Sequence, residues 1–423
     1  MKFVKYLREF GWEPVVLTVS DADYPVRDDS LFAEIPAGVR VYRSRILEPY
    51  RLYRMLTGRK RDESVDIATV GMNEHERKKI SERLSEWLRA CFFVPDARVL
   101  WLPFAIRLGR KIIREEKIDM LLSSAPPYTT HLIGLKLHRC NGLPWVADFR
   151  DSWIGWVSTP QWRPGVSRTI EEKMEHAVLA EADRVLTVSN GVKEDLLSRQ
   201  PELDDARWRL LLNGFDAADF ADVKLKTKPD KLTITYLGSL YGSRNPDSLL
   251  QAVELLQESG DASVNKITFR FVGRISAPII ERIKSSPAAA MFELVPYVPH
   301  EESVSYLLAS DVLLLIIDDT PASRGILTGK LFEYIGAGKP ILALAPDGEA
   351  ASLILQHKLG WVAPPNDVQK IKQTLLTITE AGTNSGGNQL NEAMRKQFER
   401  KEQTRQLAEI MNELHAAKGR VPA

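Results

Sequence analysis

A loop, a helix and a strand follow one another in Thr328-Gly329-Lys330-Leu331-Phe332-Glu333-Tyr334-Ile335-Gly336-Ala337-Gly338-Lys339-Pro340-Ile341-Leu342. Gly329 begins the predicted helix, and Gly338 ends it, because glycine readily adopts the left-handed conformation that often follows a helix. The apolar residues that come next predict a buried strand. Helix starts of this kind are common in α/β folds, so the segment favours that class.

The first turn of this helix carries groups that suit an anionic ligand. Gly329 has no side chain, so an anion can approach the free amide groups at the helix start. Lys330 adds a positive charge there, and Glu333 lies on the same face one turn further on. The amides and Lys330 suit the phosphates of a nucleotide diphosphate, and Glu333 suits its ribose hydroxyls. The alternative is an amphipathic helix with Lys and Glu on its surface.

The composition indicates a globular chain of two or three domains. The chain has 423 residues, of which 44% are hydrophobic and 27% are charged. Lys and Arg number 57 and Asp and Glu number 56, and the formal net charge of +1 argues against a basic nucleic-acid-binding surface. The two cysteines, Cys91 and Cys140, are too few for a disulfide framework or a Cys-rich zinc site.

The sequence also bears on the cellular compartment. No apolar run approaches the ~18 residues that a membrane-spanning helix needs. The start, Met1-Lys2-Phe3-Val4-Lys5, lacks the apolar core of a signal peptide. We therefore expect a cytoplasmic protein.

Short apolar strands alternate with helical patterns along both halves of the chain, as they do in βαβ units. The predicted strands of the first half are Pro14–Val19, Met120–Ser123, Trp145–Ala147, Val185–Val188 and Leu210–Leu212. Those of the second half are Thr233–Leu237, Ile267–Val272, Phe292–Val295, Val312–Ile317, Ile341–Ala345 and Trp361–Ala363. We predict two doubly wound, Rossmann-like α/β domains with parallel sheets, at residues 1–216 and 217–395, followed by a C-terminal helix and tail at 396–423.

The segments that follow these strands are rich in Gly, Asn, Asp and Arg. In the first half they are Ser124-Ala125-Pro126-Pro127, Asp148-Phe149-Arg150-Asp151, Ser189-Asn190-Gly191 and Asn213-Gly214-Phe215-Asp216. In the second half they are Gly238-Ser239, Gly273-Arg274, Tyr297-Val298 and Asp318-Asp319-Thr320. Ligands of open parallel sheets sit beyond the carboxyl ends of the strands. Two such faces opposite one another would line a cleft between the domains.

Three segments in combination resemble the group 1 glycosyltransferases, family 4, of the GT-B fold. They are residues 329–341, Asn213-Gly214-Phe215-Asp216 and Tyr236-Leu237-Gly238-Ser239-Leu240. The resemblance covers essentially the whole chain. It implies a C-terminal domain that holds a nucleotide-sugar, an N-terminal domain that holds the acceptor, and a last helix that crosses back onto the N-terminal domain.

The resemblance implies a donor site in the C-terminal domain. Glu333 would bind the ribose, and Lys330 with the amides of Gly329 would face the diphosphate. Arg244 stands where the family usually places a diphosphate-binding lysine, and Gly238 would let the backbone approach the donor.

The nucleobase end of the donor would lie at two further strand ends. Tyr297 and Val298 would border the base, and Gly273-Arg274 would lie at the adjacent strand end. The remaining donor-binding predictions are Thr328 and Leu331.

Three residues are candidates for the catalytic centre. Arg150 and Asp151 stand where many members of the family carry a His-Asp facing the transferred sugar. The alternative for Asp151 is a cap for the segment Ser152–Trp156. His131 lies on a predicted helix, and its alternative is a structural role. The resemblance further implies retention at the anomeric carbon, no metal and no cofactor, since the nucleotide-sugar is a substrate.

The sequence departs from the family pattern at three places. Gly325 stands where many members carry a second glutamate, and Ser239 stands where an arginine is usual; Arg324 and Arg274 are candidate replacements for that cation. The chain also begins with a predicted helix, so we expect it to lack the family's first strand and Gly-rich loop. An unfilled place in the sheet would expose apolar strand edges.

A basic, tyrosine-rich stretch at residues 40–61 suggests a separate hypothesis. It contains Arg40, Arg43, Arg45, Arg51, Arg54, Arg59, Lys60 and Arg61, with Tyr42, Tyr50 and Tyr53, against one acidic residue, Glu48. Such a stretch suits docking on an anionic membrane or binding of a lipid-diphosphate acceptor. The alternative is a solvated insertion.

Three functions compete on this sequence. The leading one is a glycosyltransferase that builds a cell-surface polysaccharide or glycolipid on a glycan or lipid-linked acceptor. The others are a GT-B nucleotide-sugar epimerase or hydrolase, and a non-catalytic protein that binds nucleotide-sugars. The base, the sugar, the acceptor and the linkage stay open, because one fold serves many substrates.

Overall fold

A computed structural model describes residues 1–20, 32, 34–47, 94–154, 165–221, 223–224, 226, 231–242, 244–260, 266–381 and 392–418. The strands are β1 (Val15–Val19), β2 (Arg40–Ser44), β3 (Leu121–Ala125), β4 (Trp145–Phe149), β5 (Arg184–Thr187), β6 (Trp208–Leu210), β7 (Leu232–Leu237), β8 (Ile267–Val272), β9 (Phe292–Val295), β10 (Val312–Ile316), β11 (Ile341–Leu344) and β12 (Gly360–Ala363). The α-helices are α1 (Lys2–Tyr6), α2 (Leu102–Glu115), α3 (Thr129–Asn141), α4 (Gly165–Glu181), α5 (Asn190–Ser198), α6 (Asp247–Glu258), α7 (Ala277–Lys284), α8 (His300–Leu308), α9 (Gly329–Ala337), α10 (Glu349–Gln356), α11 (Val368–Ala381), α12 (Glu392–Lys396) and α13 (Arg400–Lys418).

The second domain is built on one six-stranded parallel sheet, in the order β12-β11-β10-β7-β8-β9. Strand β10 is apolar throughout and fully buried, as expected for a strand with helices on both faces. One buried cluster, which includes Leu249 and Phe269, covers one face of the sheet, and another, which includes Leu313 and Phe332, covers the other. The strand order reverses between β7 and β10, and such a reversal opens a ligand-binding crevice at the carboxyl ends.

The first domain contains two parallel sheets in the described residues. One has the order β3-β4-β5-β6, and the other is the pair β1-β2. A cavity of about 280 Å³ lies between the two sheets and is lined by residues of β1, β3, α2 and α3, among them Val15, Leu17, Leu121 and Ile133. The two sheets of this domain therefore do not form one continuous ladder.

Each strand predicted from the sequence is present, with ends that shift by at most two residues. The fold class is confirmed: two parallel-sheet α/β domains face each other, as in the GT-B fold.

Strand β2 corrects part of the prediction for the basic stretch 40–61. Arg40 forms an ion pair with Glu116, and the Tyr42 hydroxyl donates a hydrogen bond to the same carboxylate. The indole of Trp101 donates to Ser44 Oγ at 2.6 Å. These contacts give residues 40–44 a structural role in the β1-β2 pair. Residues 45–47 follow without regular secondary structure, and residues 48–61 lie outside the described part of the chain.

The last helix returns to the first domain, as predicted. The apolar side of α13 packs with Leu7, Val146 and Leu186 through Leu407 and its neighbours. The helix predicted in 396–423 begins at Arg400 and is separated from α12, because Phe215 exchanges backbone hydrogen bonds with Phe398 and Arg400 between the two helices. Neither α13 nor any other helix of the described residues is long and apolar enough to cross a membrane.

Candidate functional site

The start of α9 lies at the crevice of the second domain. The Lys330 ammonium donates to the Tyr236 hydroxyl at 2.7 Å and lies 4.4 Å from the centre of the same ring. The place where a Gly329 side chain would stand is open space. The Thr328 hydroxyl is buried and has no hydrogen-bond partner among the described residues. Three of the predicted donor-binding residues are thus together at one helix start.

Two glycines make this packing possible. Gly238 follows β7 with a φ of +124°, and a Cβ added there would lie 2.4 Å from Lys330 Nζ. Gly273 follows β8 with a φ of +131°, and its Cβ would lie 2.3 Å from the Gly238 carbonyl oxygen. A side chain at either position would clash and strain the backbone, so both strand ends require glycine.

The cations at this crevice are poorly compensated. Burial, with the nearby positive charge of Arg244, lowers the pKa of Lys330 to about 7. Arg244 Nε is itself buried without a hydrogen-bond partner in the described chain. Because a bound anion would favour the charged lysine, this pair of side chains suits a phosphate group.

Glu333 lies one turn deeper in α9. Burial raises the pKa of its carboxyl group, and the charges of His300, Lys330 and Arg400 act in the opposite direction. Positive charges from both domains act on Glu333 and favour its carboxylate form, which can accept hydrogen bonds from ribose hydroxyls.

The structure corrects the donor-binding prediction for Leu331. Its side chain is fully buried in the core, and its amide donates to the Thr328 carbonyl. An amphipathic helix has one side that faces solvent and one that faces the core, and Leu331 is on the core side of α9.

The predicted nucleobase residues lie at the ends of β8 and β9. The Arg274 guanidinium lies 5.9 Å from the centre of the Tyr297 ring, which is 48% exposed. Val298 packs at the edge of the second domain's core. An exposed aromatic ring beside an apolar side chain suits the stacking of a planar base.

The first domain places Arg150 and Asp151 after β4. Arg150 Nε donates to Asp148 at 2.8 Å, and Ser124 Oγ donates to the same carboxylate oxygen at 2.8 Å. Burial raises the pKa of Asp151 to about 6. Residues 152–154 form no helix, so the described part of the chain gives Asp151 no helix to cap. A half-buried carboxylate with a raised pKa is typical of functional clefts.

The structure corrects the catalytic prediction for His131. Its imidazole is fully buried, packs against Phe149 with ring centroids 4.3 Å apart and shares a 2.8 Å hydrogen bond with Ser123. Burial lowers the pKa of His131 to about 3, so the ring is neutral. A side chain enclosed in the core cannot contact a substrate, and His131 therefore has a structural role.

A network of charged groups that the sequence did not reveal joins the two domains. Lys2 Nζ donates to Asp216 at 2.8 Å and to Asp219 at 2.7 Å, and the His300 ring lies 3.1 Å from Asp219. Burial acts to raise the pKa of Asp216, but hydrogen bonds from lysine and tyrosine side chains hold it at about 2. Glu34, Asp216 and Asp219 are close enough to share a cation, and the Lys2 ammonium lies among them.

The departure at Gly325 has a physical explanation. A Cβ at residue 325 would lie 2.7 Å from Gly191 Cα in the first domain. Beside this contact the Glu349 carboxylate accepts hydrogen bonds from the amides of Asn190, at 3.1 Å, and Gly191, at the start of α5. The two domains approach so closely here that no side chain fits at residue 325.

Arg400 and Asn213 were also missed as site residues. Arg400 is the first residue of α13 and lies near Glu333 and Arg150, and burial followed by the charge of Arg150 lowers its pKa to about 10. The charged sequence around Arg400 carries no motif that would single it out. The sequence places Asn213 in a strand-end segment that also carries the family resemblance but gives it no role of its own, and its side-chain oxygen accepts from both Arg150 and Arg400.

Family models match both halves of the chain. The model described as glycosyl transferase 4-like domain matches residues 1–214, and the model described as glycosyl transferases group 1 matches residues 218–401. A probable glycosyltransferase of Pseudomonas aeruginosa, WbjE, is 24% identical over 161 residues, which are 37% of this chain and 38% of WbjE. That match spans well under half the length of the curated relative.

Solved structures share the fold at low sequence identity. A glycosyltransferase from Rickettsia africae has a TM-score of 0.61 at 15% identity, with 98% of this chain and 93% of that chain covered. Sucrose-phosphate synthase from Thermosynechococcus elongatus has a TM-score of 0.62 at 14% identity, with 98% and 92% covered. Anabaena HepE in complex with UDP has a TM-score of 0.55 at 14% identity, with 73% and 82% covered.

The family matches extend over both domains, and the strand order, the crevice and the returning helix agree with them. The chain belongs to the group 1 glycosyltransferases.

Proposed function

We propose that this glycosyltransferase moves a hexose from a nucleoside-diphosphate sugar to a glycan or lipid-linked acceptor during synthesis of a cell-surface polysaccharide or glycolipid. One observation carries the proposal. Lys330 is buried at the open start of α9 within reach of the charge of Arg244, beside two strand ends that favour glycine. Buried cations beside bare backbone suit a diphosphate that leaves with negative charge.

The donor would lie with its ribose on Glu333, its diphosphate on Lys330 and Arg244, and its base beside Tyr297 and Val298. Binding of the diphosphate would raise the pKa of Lys330 above about 7, because an adjacent anion favours the ammonium form. The fixed cations would then stabilise the developing charge on the leaving group without reorganisation, so this reaction would need no metal or cofactor.

The transferred sugar would face the first domain. Asp151 and Arg150 would contact the sugar or the acceptor hydroxyl from the end of β4. The raised pKa of Asp151, about 6, suits a group that exchanges hydrogen bonds with hydroxyls near neutral pH. By its family resemblance the reaction would retain the anomeric configuration.

A thermal-shift screen with a matched pair of variants tests the donor site. UDP-, GDP- and ADP-sugars are added to wild type, Glu333→Ala and Glu380→Ala, where Glu380 is exposed on α11. We expect one base to stabilise wild type and Glu380→Ala, and Glu333→Ala to respond less. UDP-sugars are tested first, because the similar protein HepE was solved in complex with UDP. Equal stabilisation of all three proteins would remove Glu333 from the ribose role.

A second candidate function is non-catalytic binding of nucleotide-sugars. The close contact of Gly325 with Gly191 favours it, because it leaves no room for the glutamate that many members of the family carry. Incubation with donor and candidate acceptors, followed by product analysis, separates the two. Binding without any product supports this candidate, and free sugar or an altered donor from donor alone supports an epimerase or hydrolase.

The location we propose is the cytoplasm, at the inner face of the membrane. The basic stretch 40–61 supports contact with anionic lipid, although β2 uses its first five residues within the fold. Flotation with anionic vesicles at low salt tests this location, with neutral vesicles as the control. Equal recovery of the protein with both vesicle types would exclude the membrane contact.

A further inference from the structure

Two arginines from distant parts of the chain converge at the domain junction. Arg150 follows β4, and Arg400 begins α13. Arg150 Nη1 lies 3.3 Å from Asn213 Oδ1, and Arg400 Nη2 lies 3.2 Å from the same oxygen. Two guanidinium groups thus share one neutral acceptor.

The positive charge of this pair exceeds the negative charge that contacts it. Among the described residues only Asp148 forms an ion pair with Arg150, and the hydrogen bonds of the Arg400 guanidinium go to the neutral side chains of Asn213 and Gln403. The nearby carboxylate of Asp216 is hydrogen-bonded by Lys2 and other side chains. A buried cation that lacks an anionic partner is unfavourable, so binding of an anion at this pair would be favourable.

One donor of the pair has no acceptor. Arg150 Nη2 is buried and lacks a hydrogen-bond partner in the described chain. The ring of Phe3, 5.1 Å from the guanidinium, and the ion pair with Asp148 fix its orientation. A buried donor without an acceptor costs free energy that an incoming oxyanion would recover. Guanidinium groups match the geometry of phosphate oxygens through paired hydrogen bonds.

We propose that Arg150 and Arg400 form a phosphate-binding pair, in which phosphate oxygens replace Asn213 as the shared acceptor. The pair lies beside Glu333, whose carboxyl group feels the charge of Arg400. It would provide the positive charge that Ser239 does not. The phosphate would come from the donor diphosphate or from a phosphate on the acceptor, and only this choice of source rests on the proposed transfer reaction.

Calorimetric titration with inorganic pyrophosphate at low ionic strength tests the pair directly. Wild type is compared with Arg150→Gln, Arg400→Gln and the control Arg405→Gln, whose side chain lies further along α13 and pairs with Glu402. We expect each of the first two variants to lose at least tenfold in affinity for pyrophosphate, and the control to match wild type.

Arg150→Lys and Arg400→Lys provide a check on folding. They keep the charge without the planar fork, and their affinity for pyrophosphate should fall less than that of the Gln variants. Unchanged affinity in both Gln variants, or no binding by wild type at millimolar pyrophosphate, would overturn the proposal.

A second titration identifies the source of the phosphate. The nucleoside diphosphate among UDP, GDP and ADP that raises the Tm most is added to saturation before pyrophosphate. If the pair holds the donor diphosphate, this nucleotide abolishes pyrophosphate binding, and both Gln variants bind the nucleotide at least tenfold more weakly. If the pair holds a phosphate of the acceptor, pyrophosphate still binds to the saturated protein. Neither titration requires turnover, so a protein that binds pyrophosphate through the pair but transfers no sugar would refute the transfer reaction alone.

Discussion

The two domains differ in how their sheets are completed. The second domain has one ladder of six strands, each paired with its neighbours. The first domain has a four-stranded sheet and a separate pair, and part of its interior is covered by α13 from the far end of the chain. The sheet of the second domain is therefore complete within residues 232–363, whereas the interior of the first domain depends on a distant segment.

The same contrast extends to the site. In the second domain burial lowers the pKa of Lys330, and the positive charge of nearby Arg244 lowers it further. In the first domain Arg150 pairs with Asp148 but shares the Asn213 oxygen with Arg400, which the returning helix α13 supplies. The difference teaches that the cationic pocket of the second domain is preformed within that domain, whereas the Arg150–Arg400 pair of the first domain depends on the returning helix.

The largest effect that this contrast predicts is on stability. Leu407→Ala in α13 removes a fully buried side chain from the core of the first domain, and we expect a loss of about 2–5 kcal/mol in the free energy of unfolding of that domain. Leu249→Ala, equally buried in the second domain, serves as the matched variant. Hydrogen exchange of amides in β4 and β8 reports each domain separately.

The comparison holds if Leu407→Ala releases β4 and spares β8, and if Leu249→Ala does the reverse. Equal loss of protection in both strands for both variants would mean that the two domains unfold as one unit, and the contrast would fail.

The second prediction concerns the preformed pocket. Lys330→Met removes a buried cation without loss of bulk, and we expect kcat/KM for the donor to fall by about 10²–10³, as for other fixed groups that stabilise developing negative charge. Lys370→Met, on the exposed side of α11, is the control and should leave kcat/KM unchanged. A fall of less than threefold for Lys330→Met would place the diphosphate elsewhere.

The third prediction tests the first domain through pH. The pKa of Asp151 is about 6 in the folded protein, above the ordinary value of 3.8, so the native state binds this proton more tightly than the unfolded chain does. Stability from this group is present below pH 4 and is lost as the pH rises from about 4 to about 6. Asp151→Asn removes the cost of an ionised carboxylate at this site, and it should raise the free energy of unfolding at pH 7 by about 1–3 kcal/mol.

The measurement is urea unfolding at a series of pH values, with Asp205→Asn as the exposed control. The same Asp151→Asn protein should lose transferase activity, because strained functional groups are commonly kept at a cost in stability. A variant that is no more stable than wild type at pH 7 would refute the raised pKa.

The fold could be predicted from the sequence because the decisive strands are continuous apolar runs such as Val312–Ile316. Strand β2 was not predicted, since Arg40–Ser44 combines two arginines and a serine with only one valine and one tyrosine, a composition that also suits a surface. The gathering of Gly329, Lys330 and Glu333 at one helix start could be predicted because the three residues are close together in the sequence. The burial of a side chain could not be predicted from its position on a helix, and for this reason the sequence predicts His131 and Leu331 as site residues although both are buried. Arg400 required the return of α13, which brings together residues far apart in sequence.

The smallest predicted effect tests how firmly the domains are held together. The Glu349 carboxylate accepts from two amides at the start of α5, where a negative charge is favoured by the helix dipole. Glu349→Gln keeps the shape but removes the charge, and we expect the closed arrangement to lose about 0.5–1 kcal/mol, a few-fold change in its population. Faster hydrogen exchange at Asn190 and Gly191, with a two- to fivefold rise in KM for the acceptor, would be the result, and Glu380→Gln should change neither.

If Glu349→Gln also lowered the affinity for the donor, the second domain would need the first domain to form its pocket, and the pocket could no longer be called preformed. An unchanged acceptor KM with faster exchange would instead mean that this contact is local and does not set the separation of the domains.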